Sequence, residues 1–307
     1  MNCFRNAAEQ LDVNLTMLAV DMDPSWSPAC QVADCCYEVD PCTSDGYIKQ
    51  VLEICSKHDV KLIVPTIDTE LLIYAENRQV FEKAGIQLHL GSSEFVRVAR
   101  DKALTAQLLD RNGIPIPRTW NPPEALKDRK HLPFPVLLKP KGGSCSKGIE
   151  TVSSADILKE KMVCRDDYLI QELCTGREYT VNCFYDRQGN CVATVPHFRK
   201  FVRDGEVCLA QTERIPEFTA VARQLGQIFN GIWGCICFQG FRQKDGSVRV
   251  FEINARFGGG YPICDAAGGT FARWLLQDLM GETPDYHDEW KEDVRMLRYD
   301  EATFTGM

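Results

Sequence analysis

Apolar and polar positions follow two different rhythms along this chain, one before and one after its middle. Residues 15–20 (LTMLAV) form a short apolar run that stops at Asp21-Met22-Asp23-Pro24, the profile of a strand closed by an acidic pair and a proline. Residues 46–58 place Ile48, Val51, Leu52, Ile54 and Cys55 at helical spacing. Residues 61–65 predict a buried strand, residues 70–84 a helix that Gly85 ends, and residues 86–90 a further strand. This β–α–β–α–β alternation predicts a parallel sheet with helices on its faces.

A second unit begins near Ser92. Residues 93–112 read as one or two helices closed by Gly113, and Ile114-Pro115-Ile116-Pro117 forces an extended stretch. Residues 134–140 predict a strand, the Gly/Ser-rich run 142–148 follows, residues 153–161 predict a helix and 168–173 a strand. From Tyr179 strands dominate: 179–185, 191–196, 234–242 and 248–253, with a turn at Asp204-Gly205 and a helix over 218–229. Asp245-Gly246 is a strong hairpin signal between the last two. Residues 258–269 are Gly-rich, 270–280 predict a helix, and the tail from Glu282 predicts a mobile end.

Bulk properties narrow the function. The chain has 307 residues, enough for two or three lobes, and a formal net charge of -8 with no long basic run. Nucleic acid and anionic membrane surfaces are therefore poor partners. The longest apolar runs fall far short of the ~20 residues of a membrane span, and residues 1–10 lack the apolar core of a secretory signal. Fifteen cysteines scattered through apolar stretches read as reduced thiols in a cytoplasmic protein. Cys30, Cys35, Cys36 and Cys42 cluster, but without the ligand spacing or the histidine that a zinc site needs.

Four segments could carry chemistry. In Val136-Leu137-Leu138-Lys139-Pro140 a lysine on a buried strand needs an anionic partner, either a carboxylate or a nucleotide phosphate. Gly142-Gly143-Ser144-Cys145-Ser146-Lys147-Gly148 could offer backbone N–H groups and hydroxyls to phosphate, or be a plain flexible hairpin. In Gln171-Glu172-Leu173-Cys174 the backbone of an exposed strand edge could pair with an adenine edge, and Glu178 could accept from ribose hydroxyls. The most specific is Glu252-Ile253-Asn254-Ala255-Arg256. If it is a strand, Glu252, Asn254 and Arg256 share one face, and the hairpin returns Gln239 beside them. Hard oxygen ligands and an arginine fork suit magnesium bound to phosphates.

With these elements in this order, the sequence resembles the ATP-grasp superfamily, in the branch similar to carbamoyl-phosphate synthase large subunit and biotin carboxylase. The marks are Arg100-Asp101-Lys102, Leu138-Lys139-Pro140, the Gly/Ser loop, Gln171-Glu172-Leu173, Glu178-Tyr179-Thr180 and Glu252 to Gly260, over about Leu15 to Gly281. The resemblance implies α/β and α+β architecture. Its parts are an N-terminal parallel α/β lobe (1–91), a helical linker (92–120), a small lid (121–173), a central mostly antiparallel sheet (174–290) and a C-terminal tail (291–307).

It also implies site roles. Lys102 and Lys139 would bind phosphates; Gly143 to Gly148, with Ser144 and Ser146, would close over them; Gln171, Glu172 and Leu173 would meet adenine and Glu178 the ribose. Glu252 and Asn254, with Gln239 beside them, would hold Mg2+, for which Mn2+ can stand in. Arg256 would steady an acyl phosphate, so Arg256 and Lys139 are the expected catalytic pair.

The implied activity is ATP-dependent ligation of a small carboxylate to an amine or similar nucleophile, with homodimers as the base-rate expectation. The alternatives are a non-catalytic ATP-binding protein and a small-molecule kinase. Two departures stand out. About ten residues, one strand and its turn, are missing from the family's start, and Asn182 stands where an acidic residue is more usual. His197 and Arg199 are expected after a strand, facing a substrate anion or capping a hairpin.

Overall fold

The computed structural model describes residues 1–143, 148–163 and 165–305. The N-terminal lobe opens on a helix, Asn2–Gln10. Strands β1 (Leu18–Asp21) and β2 (Cys35–Glu38) pair in parallel, as do β3 (Leu62–Ile63) and β4 (Gln87–Leu88). The expected alternation is thus corrected. The partner of β1 is β2, a strand the sequence pattern did not reveal, because Cys35-Cys36-Tyr37-Glu38 carries no apolar run.

Of the one or two helices expected over 93–112 there are two, Ser93–Arg100 and Lys102–Arg111. Each has its own cap: Ser92 accepts from Phe95 N, and Asp101 accepts from Ala103 N and Leu104 N. The break at Asp101 sets Lys102 at the first position of the second helix, where its N–H donates to Lys141 O at 2.9 Å.

The lid is a four-stranded sheet of β5 (Thr119–Trp120), β6 (Val136–Pro140), β7 (Glu150–Val152) and β8 (Tyr168–Glu172), in the order β5-β8-β6-β7. It closes over a small core of its own that includes Val136, Leu138, Leu158 and Ile170. Ser144 and Ser146, expected at the phosphates, lie outside the described residues.

The central sheet contains β9 (Arg177–Tyr185), β10 (Cys191–Arg203), β11 (Glu206–Thr212), β12 (Gly234–Arg242), β13 (Val248–Asn254) and β14 (Arg295–Leu297), ordered β13-β12-β9-β10-β11-β14. Residues 291–307 were expected as a tail, yet β14 pairs antiparallel with β11. Side chains alternate across the sheet as strand geometry requires. Tyr179, Val181, Cys183 and Tyr185 of β9 enter the main core shared with the N-terminal lobe. Phe184 enters a second core beneath the helices Tyr261–Ala267 and Phe271–Leu279. Glu178 and Thr180, also on the Phe184 face, open into a cleft under the lid.

Candidate active site

The cleft lies between the lid sheet and the open part of the central sheet. The lid contributes Lys139, Gly142, Gly143, Gln171 and Glu172, and Lys102 reaches in from its helix. The central sheet contributes Glu178, Arg199, Gln239, Phe251, Glu252 and Asn254, followed by Arg256 and Gly258 to Gly260. Most residues expected at the site therefore share one space. Leu173 and Gly148 do not line it: Leu173 is exposed past the end of β8, and Gly148 packs against Pro140 and Tyr168.

Lys139 is buried at 4% exposure, and among the described residues no carboxylate reaches salt-bridge distance of it. Its Nζ lies 3.3 Å from Gln171 Oε1 and 4.7 Å from the centroid of the Phe251 ring. Burial lowers its pKa to about 8, Glu252 pulling it up and Lys102 adding to the depression. Lys102 Nζ donates to Gly143 O at 2.8 Å and lies 3.5 Å from Glu252 Oε1. The second helix thereby ties the lid loop to the central sheet.

Antiparallel register puts Glu252 opposite Gln239, and Asn254 opposite Cys237. All four line the cleft, so the shared face expected from the hairpin is present. Cys237 is no nucleophile, since burial pushes its thiol up to about 11 against the opposing effect of Arg256.

Arg256 lies just beyond β13 and grips Asp68 with a fork, Nε to Oδ1 at 3.0 Å and Nη2 to Oδ2 at 2.9 Å. Its Nη1 donates to Phe257 O at 2.9 Å. Burial disfavours its charge, but Asp68 outweighs that and the pKa is raised. A guanidinium has about five N–H donors; the three bonds leave two unspent. Arg100 Nη1 also approaches Asp68, at 3.6 Å.

Two expectations need correction, on the edge at β8 and on the place of His197 and Arg199. Strand β8 is not an exposed edge: Gln171 faces Thr119 on one side and Leu137 on the other, and Glu172 N donates to Arg118 O at 2.9 Å. Gln171 is buried, with Nε2 donating to Thr119 Oγ1 at 3.0 Å. A covering strand of two residues, β5, is too short to show in an apolar pattern. Glu178, expected at the ribose, lines the cleft and is also ion-paired to Arg199 Nε at 2.9 Å. His197 and Arg199 do not follow a strand; both lie inside β10, which runs seven residues past the predicted end at Pro196.

His197 is fully buried, its Nδ1 3.3 Å from Asn182 Nδ2. Burial and the neighbouring Arg199 lower its pKa to about 3. Asn182 is buried beside this uncharged ring. Sequence reasoning missed Asp68, Glu206 and Arg249. The one signal for Asp68 was its place just after the 61–65 strand, since loops at the carboxyl ends of parallel strands carry ligand-binding residues.

Comparison with known proteins agrees with this geometry. The family profile described as PylC-like, N-terminal domain matches residues 1–89. The profile described as ATP-grasp in the biosynthetic pathway with Ter operon matches residues 165–302. Two family models, one of them an ATP-grasp model, thus match separate parts of the chain, which is similar to ATP-grasp proteins.

Solved structures are similar across nearly its whole length. One is the biotin carboxylase domain of 2-oxoglutarate carboxylase from Hydrogenobacter thermophilus, a dimer in complex with MgADP, ADP and bicarbonate. It has a TM-score of 0.74 and 18% identity, over 95% of this chain and 69% of that one. N5-carboxyaminoimidazole ribonucleotide synthetase from Thermotoga maritima has a TM-score of 0.64 and 17% identity, over 94% and 74%. L-amino acid ligase from Bacillus licheniformis has a TM-score of 0.67 and 17% identity, over 90% and 70%. At such identities the likeness establishes the fold. No curated protein sequence matches. Among the described residues no helix is long and apolar enough to cross a membrane.

Proposed function

We propose that this chain is an ADP-forming ligase that activates a carboxylate as an acyl phosphate and passes the acyl group to an amine or similar nucleophile. The observation that carries this reading is the gathering of Lys102, Lys139, Glu252, Gln239, Asn254 and Arg256 around one cleft. A carboxylate and the γ-phosphate repel one another while both carry charge. The two lysines and Arg256 offset that repulsion and the charge that develops in transfer. The carboxylate oxygen bonds to the γ-phosphorus as the bond from that phosphorus to the β,γ-bridging oxygen breaks, and ADP leaves with the electron pair. The nucleophile's lone pair then bonds to the acyl carbon, the carbon–oxygen bond to phosphate breaks, and the nucleophile gives up its proton. No protein nucleophile is needed.

Glu252 would hold Mg2+ (or Mn2+) with the amide oxygens of Gln239 and Asn254. The donor set is hard oxygen, which fits. Among the described residues no three of His, Cys, Asp and Glu gather as a metal site, so such an ion would lean on phosphate oxygens and water, as magnesium does. When bound, it would neutralise phosphate charge. Asp68 holds the Arg256 fork in one orientation, so this cleft-lining guanidinium is fixed before substrate arrives. Small-molecule acid and amine substrates, a homodimer and a cytoplasmic location complete the proposal.

The test is ADP release from Mg-ATP in hydroxylamine across pooled carboxylic acids, with mass spectrometry of any hydroxamate. Acid-dependent hydroxamate, abolished in Glu252→Gln, is the expected result. ADP without hydroxamate would favour a kinase, and nucleotide binding without turnover a regulatory protein.

A further inference from the structure

Carboxylates around the cleft are matched to cations with one exception. Glu178 pairs with Arg199, Glu252 with Lys102, Glu172 with Arg249, and Asp68 with Arg256 and Arg100. Among the described residues Glu206 has no ion-pair partner, though it lines the same cleft. It is the first residue of β11, directly after the hairpin turn in which Asp204 has φ 52° and Gly205 φ 84°.

The Glu206 carboxylate is seated against Gly259. A Cβ on Gly259 would meet the carboxylate end of Glu206, so the absence of a side chain there leaves room for this close approach. The turn cannot easily recede, because Arg298 Nη2 holds Gly259 O at 2.7 Å from outside. Beneath the next residue, His197 Nε2 points at Gly260, where a Cβ would lie 2.5 Å from it. That nitrogen is buried and has no hydrogen-bond partner. It supplies no counter-charge either, since burial and Arg199 hold the ring neutral, its pKa lowered to about 3.

The cleft is therefore polarised. Lys102 and Lys139 gather positive charge beside Gly143. Next to Arg256 and the glycine turn, unspent N–H donors stand near an unspent carboxylate. A simple acid would satisfy the arginine and meet Glu206 as like charge. A zwitterion answers both. Resting on the ligase reading above, we propose that the acid activated here is an amino acid, its carboxylate held by Arg256 and its ammonium group by Glu206.

The test compares hydroxamate trapping from L-amino acids with trapping from their N-acetyl derivatives and from simple aliphatic acids, under Mg-ATP and hydroxylamine. The expected result is trapping from free amino acids at least about tenfold above their N-acetyl forms. Glu206→Gln should raise KM for the amino acid about ten- to a hundredfold, the scale of a lost charged hydrogen bond. It should change kcat less, and should narrow the gap between free and acetylated acids. Unchanged ATP binding by the variant checks its folding. Equal or better trapping from N-acetyl or simple acids would overturn the proposal and leave the ligase reading standing. A Glu206→Gln variant that lowers kcat for every acid alike would also overturn it. Silence from all acids would sink the ligase reading itself.

Discussion

One wall of the cleft is the central sheet, with the main core behind it and a second core beside the open face. The other wall is the lid sheet, which has a single small core and hangs between residues 118 and 174. The groups that must be held in fixed relation, Glu252, Gln239, Asn254 and Arg256, all lie on the heavily packed wall or just after its strand β13. The lid brings Lys139 and Gly143. This division suits a reaction in which one side defines geometry and the other closes to exclude water. If it is right, lesions on the central wall should cost chemistry, and lesions on the lid should cost nucleotide affinity.

Glu252→Gln should show the largest effect, a fall of about 10²- to 10³-fold in kcat for hydroxamate formation, the scale of losing one preorganised electrostatic group. ATP binding, followed by calorimetry, should weaken far less. A loss confined to affinity would erase the distinction between the walls.

Lys139→Met should weaken ATP binding about ten- to a hundredfold, as expected for a lost charged hydrogen bond. It also has a pH signature. The folded pKa lies at about 8, below the ordinary 10.5. Free Lys139 loses its proton as pH rises through 8, so wild-type ATP affinity should fall between pH 7 and pH 9 and the variant's should stay flat. The sign for stability is the reverse of the usual lysine case. Below pH 8 the folded state bears the cost of burying the charge, and that cost fades between 8 and 10.5 as the folded state alone loses the proton. Lys139→Met should therefore raise Tm at pH 7, with the gain disappearing above pH 10.

Asp68→Asn should act mainly through Arg256, with the longer Arg100 contact also weakened, raising KM for the acid about tenfold while ATP binding holds, because a neutral amide weakens a charge-assisted fork. Circular dichroism and ATP titration separate this from misfolding.

How much of this was legible beforehand follows from the length scale of each signal. The β12–β13 hairpin could be read because Asp245-Gly246, a two-residue period and the Glu252/Asn254 spacing all agree within a score of residues, and the observed pairing sets Gln239 opposite Glu252. Asp68 could not be assigned to Arg256, because 188 residues separate them and only the fold brings them together. Strand β14 is three residues long and mostly exposed, and β2 alternates without an apolar run, so neither rises above a polar background. The misjudged edge at Gln171 has the same origin, since a cover of two residues hides it. Glu206 is one of two acids in a short hairpin, and its meaning comes from the other carboxylates that line the cleft being already paired.

The smallest effect should come from an ion pair that directly links the two sheets. Glu172 on β8 of the lid is ion-paired with Arg249 on β13 of the central sheet, the arginine being about a third exposed. A pair so open to water is worth about 0–1 kcal/mol, so Arg249→Gln should leave Tm nearly unchanged and raise KM for ATP no more than a few fold. Hydrogen exchange is the sharper readout. Backbone amides of β6 and β8 should exchange faster in the variant, and those of β9 and β12 should not, because the lid has one light core to hold it and the central sheet has two. Faster exchange in both sheets would mean that the walls open as one cooperative unit, and the assignment of closure to the lid would fail.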